Sequence, residues 1–91
     1  MNLSSILVMT AAPHFESTID ALAGIEGLEV HYCDHASGRI IVTQESANVS
    51  AEITGLQHIK SLPHVILAEM VYHYCEDEEE QPLIPIVHES A

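Results

Sequence analysis

Ile6-Leu7-Val8-Met9 is an unbroken apolar run, the pattern of a strand buried on both faces and therefore central in its sheet. Beyond it the period changes. Phe15, Ile19, Leu22 and Ala23 recur at helical spacing, Pro13 suits the first turn, and Gly24 with Gly27 supplies the stop. From Leu28 the period becomes two: Leu28, Val30 and Tyr32 fall on one side, Glu29, His31 and Cys33 on the other. Ser37-Gly38 marks a turn, and Arg39 to Gln44 returns as a second buried strand, so 28–44 reads as a hairpin.

Val49, Ile53, Leu56 and Ile59 then trace a second amphipathic helix, which ends before Pro63 because a residue preceding proline avoids the helical region. Gly55 inside it costs about 1 kcal/mol relative to alanine, and close packing against the sheet is the expected reason for it. His64 to Tyr74, rich in Val, Ile and Tyr, is the last strand.

The order strand-helix-strand-strand-helix-strand, with right-handed crossovers, predicts an α+β fold, the ferredoxin-like βαββαβ sandwich. Its four-stranded antiparallel sheet carries both helices on one face, in the spatial order fourth, first, third, second. The domain is expected over residues 1–76. The self-repelling run Glu76-Asp77-Glu78-Glu79-Glu80 leads into an acidic tail over 77–91, expected to be flexible.

Alternation assigns the two faces of that sheet. Ile6, Val8, Val30, Tyr32, Ile40, Val42, Ile66, Ala68 and Met70 are expected to point at the helices. The open face then receives Leu7, Met9, Ile41, Thr43, Leu67 and Val71, with Glu29, His31, Cys33, Glu69 and His73 around them. Central strands usually carry more polar residues on a solvated face, so an apolar strip bordered by acids marks an interaction surface. Leu7, Met9, Ile41, Thr43, Leu67, Glu69 and Val71 are the candidate peptide-binding residues. A second copy of the chain, or the tail segment Pro82-Leu83-Ile84-Pro85-Ile86-Val87, are competing occupants of the same strip.

Charge narrows the partner. Fourteen acids face two bases, Arg39 and Lys60, for a formal net charge of −12. Such a chain repels phosphate backbones and anionic membrane surfaces, and a cationic protein or peptide is favoured. Arg39 on the open face is the awkward exception. The start lacks the basic segment of a secretory signal, and no stretch approaches the roughly 20 apolar residues that span a bilayer, so a cytoplasmic location is expected. Two cysteines make no disulfide framework.

His31, Cys33 and His35, with His73 and Cys75, suggest metal ligands. The predicted topology puts the two clusters on opposite outer strands, some 14 Å apart over three strand spacings, and zinc needs its ligands at roughly 2.0–2.3 Å. No metal or other cofactor is expected. The loop after the first strand lacks the glycines or arginine of a phosphate cradle, and His14 there reads as an exposed helix-start residue. Glu29 and Glu69, which could pair as acids, also sit on opposite edges. No catalytic residue is assigned, and an enzyme is not expected.

The chain resembles the NapD family, small cytoplasmic chaperones for the assembly of periplasmic nitrate reductase. The similarity covers roughly residues 4 to 75. It rests on the hairpin "LEVHYCDHASGRIIV", on "IKSLPHVILAEMVYHY" with Val71-Tyr72-His73 closing the last strand, and on the acidic run that follows. The resemblance implies the same ferredoxin-like fold. It also implies binding of the twin-arginine signal peptide of the nitrate reductase catalytic subunit, holding that precursor back from export until its molybdenum cofactor and iron–sulfur cluster are installed. Such a signal is an arginine pair followed by an apolar stretch, the kind of ligand that the acidic charge and open face ask for. The alternative class is a small-ligand or metal-sensing regulatory module of the same fold, in which a homodimer is expected.

Overall fold

The computed structural model describes residues 1–75; the tail expected over 77–91 lies outside the described residues. The elements follow in the order β1 (Asn2–Thr10), a 3-10 turn (Ala12–His14), α1 (Phe15–Ala23), β2 (Leu28–Asp34), β3 (Arg39–Ser46), α2 (Val49–Lys60) and β4 (Val65–Cys75). The sheet is antiparallel throughout, ordered β2-β3-β1-β4. This is the expected ferredoxin-like arrangement. No helix among the described residues is long and apolar enough to cross a membrane.

The core lies between sheet and helices. Ile6 and Val8 of β1, Ile40 and Val42 of β3 and Ala68 of β4 meet Phe15 and Leu22 of α1 and Ile59 of α2. Strand β1 alternates buried and half-buried side chains along its whole length, and it begins at Asn2, well ahead of the apolar run. The polar Asn2 and Ser4 at that end are buried too. In the β2–β3 turn Gly38 has φ +72, and a Cβ there would stand 2.7 Å from the Thr10 carbonyl oxygen, so only glycine fits.

Helix α2 departs from its expected orientation. Asn48 caps it, the Oδ1 accepting from the Ala51 N–H at 2.8 Å. Its buried residues, however, are Glu52 and Ile59, while Val49 and Ile53 are each 50% exposed. The apolar period placed Val49 and Ile53 inward; the helix is instead turned so that a carboxylate enters the interior. Glu52 Oε1 lies 3.1 Å from His73 Nε2 and 3.3 Å from Asn2 Nδ2. The imidazole contact is one of proximity, since His73 Nε2 makes no aligned hydrogen bond among the described residues.

Gly55 is explained by the same interface. A Cβ on it would overlap Oε1 of Gln44, whose amide donates to the Glu52 carbonyl oxygen (3.2 Å) and to Ser4 Oγ (3.4 Å). Gln44 is buried, so a displaced amide has no water to turn to. Gly55→Ala is therefore expected to lose more from the amide, about 1–3 kcal/mol, than the roughly 1 kcal/mol that helix propensity returns. The expected result is a fall in the thermal midpoint, read by circular dichroism; a rise would show that Gln44 moves aside at no cost.

Three residues stand outside the strand ladder. On β2, Val30 pairs with Val42 and Tyr32 with Ile41, which leaves His31 as an inserted residue. On β4, Met70 pairs with Ile6 and Tyr72 with Ser5, leaving Val71; Val65 pairs with Thr10 and Leu67 with Met9, leaving Ile66. Each insertion reverses the phase beyond it. Tyr32, expected toward the helices, shares the open face with Ile41. Cys33, expected on the open face, pairs with Ile40 on the helix side. His73, also expected on the open face, turns inward to Glu52. Ile66, expected in the core, is 69% exposed, and Val65 packs against the core in its place.

His14 is corrected as well. Its ring stacks on His64 with centroids 3.5 Å apart and planes within 7°. His64 holds the left-handed conformation at φ 73, and its carbonyl accepts from Thr10 Oγ1 at 2.9 Å and from the Ala11 N–H at 3.3 Å. The start of α1 is thus tied to the loop entering β4.

Candidate functional site: the open sheet face

Residues directly opposite one another in adjacent strands share a face, so the register lays out the uncovered side of the sheet in four rows. Glu45, Leu3 and Tyr74 form the first, from β3 through β1 to β4. Glu29, Thr43, Ser5 and Tyr72 form the second, now starting from β2. Tyr32, Ile41, Leu7 and Glu69 form the third, and Asp34, Arg39, Met9 and Leu67 the fourth.

The centre of this grid is apolar. Leu3, Leu7, Met9 and Ile41 are half-buried on the two inner strands, although no helix among the described residues covers them. Around them Tyr32, Leu67, Tyr72 and Tyr74 stand exposed. Glu29, Glu45 and Glu69 complete the border, all exposed. Asp34 is engaged in the hairpin turn: its carboxylate accepts from the Ala36 N–H at 3.2 Å and from the Ser37 hydroxyl at 2.8 Å. The face therefore offers an apolar floor, hydroxyls from Ser5 and Thr43, phenol rings at both edges and carboxylates at the rim.

Of the candidate residues, Leu7, Met9, Ile41, Thr43, Leu67 and Glu69 are brought together in these rows. Val71 is the inserted residue of its bulge and belongs to no row, though it is 45% exposed beside Tyr72. Leu3, Tyr32, Tyr72 and Tyr74 join the face unforeseen. Tyrosines at alternate positions 72 and 74 do signal a shared face, but the insertion at Val71 decides which one.

The two histidine–cysteine clusters fall on β2 and β4, the opposite edges of the sheet. His35 is drawn off to α1, with Nε2 2.8 Å from Glu16 Oε2 and its ring 4.1 Å from that of Phe15. Among the described residues no three His, Cys, Asp or Glu side chains converge as metal ligands would.

A family model described as NapD protein matches residues 1–77. The solution structure of the E. coli Tat proofreading chaperone protein NapD matches this fold with a TM-score of 0.74 at 22% sequence identity. The alignment covers 98% of this chain and 94% of that one. At that identity the likeness is one of fold. No curated protein sequence matches the chain.

Proposed function

The chain belongs to the NapD family, and on that premise we propose that it is an assembly chaperone for periplasmic nitrate reductase. Its open sheet face binds the twin-arginine signal peptide of the catalytic subunit precursor in the cytoplasm. Occupied in this way, the signal is withheld from export until the cofactors are inserted. The role is one of binding, without catalysis.

The observation that carries the reading is the uncovered apolar centre of the sheet, Leu3, Leu7, Met9 and Ile41, inside a border of carboxylates and tyrosines. A monomeric domain gains nothing from presenting such a strip to water. An arginine pair followed by an apolar stretch satisfies both parts at once. The apolar stretch covers the floor, and the guanidinium groups meet the acids and rings of the border.

Leu7→Glu tests the assignment. Leu7 sits mid-face between Ile41 and Glu69, so the new carboxylate enters the floor and not the core. The lost apolar contact costs about 1–3 kcal/mol, which is roughly a five- to hundredfold weaker affinity. Calorimetric titration with a synthetic twin-arginine signal peptide measures it, with circular dichroism to confirm the fold. A folded Leu7→Glu protein that binds as tightly as the parent would move the site off this face.

A further inference from the structure

We propose that the peptide lies on the face in one direction, with its arginine pair over the Tyr72–Tyr74 end and its apolar stretch running toward Met9 and Leu67. This rests on the signal-peptide reading above and adds the orientation and the arginine subsite to it.

Charge along the rows sets the direction. Glu45 and Glu29 border the first and second rows, and Glu69 the third. In the fourth row Arg39 stands opposite Asp34, so this row alone holds a fixed cation. Glu69 also lines one cleft of about 400 Å³ with Lys60, the second base of the chain. An arginine pair is thus attracted by the unbalanced carboxylates of the first two rows, and gains less over the fourth row, where Arg39 and Asp34 balance each other.

The floor changes in the same sense. Ser5 and Thr43 give the second row hydroxyl groups that can accept hydrogen bonds from a guanidinium. Leu7 with Ile41, and then Met9, give the third and fourth rows apolar centres. Tyr72 and Tyr74, on alternate positions of one strand about 7 Å apart, are 49% and 48% exposed. Their ring faces can stack planar guanidinium groups, which an ammonium group matches less well. From Leu3 to Met9 the floor is about 20 Å long, enough for roughly 13 residues of helix. Since the arginines precede the apolar stretch, the peptide runs in the direction of β1.

The experiment uses the full chain and synthetic peptides in which an arginine pair precedes an apolar stretch. A nitroxide label is placed either before the arginines or after the apolar stretch, and broadening of the protein's amide signals is recorded. The first label should broaden Leu3, Tyr72 and Tyr74, the second Met9, Arg39 and Leu67. The reversed pattern, or equal broadening of both sets, overturns the orientation while leaving the binding function intact. A peptide that does not bind in a parallel calorimetric titration overturns the functional reading and this proposal with it.

The subsite has its own readout. Replacing the peptide's arginine pair by lysines should weaken binding to the parent. The double variant Tyr72→Ala/Tyr74→Ala should lose about two- to fivefold per tyrosine toward the arginine peptide and should bind both peptides nearly alike. If the variant keeps the full preference for arginine, the tyrosines are not the subsite.

Discussion

Val8→Glu should yield a chain that does not fold, although its neighbour Leu7→Glu should fold as the parent does. Val8 has no solvent exposure and lies between Ile40 and Ala68 on the helix side of the central strand. A carboxylate there enters the apolar cluster of Ile6, Phe15, Leu22, Ile40, Val42, Ile59 and Ala68, whose side chains offer no donor or cation to replace its water shell. The cost of burying it unpaired is several kcal/mol, comparable with the whole stability of a small domain at about 5–10 kcal/mol. The measurement is circular dichroism with amide signal dispersion in a proton spectrum. A cooperative transition near the parent's midpoint would mean that the core rearranges around the charge, and that the assignment of faces on β1 is wrong.

The second large effect concerns the polar contact inside the domain. His73→Leu removes the imidazole 3.1 Å from Glu52, whose carboxylate is 2% exposed and still accepts from the Asn2 amide at 3.3 Å. Replacing a polar neighbour by an aliphatic group beside a buried carboxylate is costly, because the carboxylate is left further desolvated; with His73 itself 27% exposed, about 3 kcal/mol is expected. For a domain of this size that is a fall in Tm of roughly 10–20 °C. Glu52→Gln in the same background removes the stranded charge and should recover more than half of the loss. Urea denaturation of the single and double variants decides the matter. A His73→Leu protein within about 0.5 kcal/mol of the parent would show that Glu52 does not depend on the imidazole.

Much of this fold was legible because its strongest signals are local. The Ile6–Met9 run, the Ser37-Gly38 turn, the proline stop after α2 and the misfit glycine at position 55 each act within a few residues. The errors have two physical origins. An inserted residue in a strand has no side-chain signature, so His31, Ile66 and Val71 each let the period-two count run on past a reversal. Tyr32, Cys33 and His73 were misplaced for that reason alone. The turn of α2 is a long-range effect. Val49 and Ile53 looked inward because a glutamate normally faces water, and the histidine that accommodates Glu52 lies twenty-one residues further along the chain. The candidate site fared better at its centre than at its border. Leu7, Met9 and Ile41 lie on strands that carry no insertion of their own, whereas Tyr32, Tyr72 and Tyr74 lie on the two strands that do.

Those insertions have a consequence for how the protein survives its own task. Among the described residues each outer strand has one edge with no neighbouring strand, a template on which another extended chain can add and from which fibres grow. On the proposed function, which brings extended export signals to the sheet, such chains are met repeatedly. His31 interrupts one rim of the sheet, and Ile66 and Val71 interrupt the other at two places. No outer strand keeps a long, regular ladder for an incoming strand to follow. Such interruptions work against edge-to-edge growth, and on the proposed function they favour the broad surface over the rims for holding a guest.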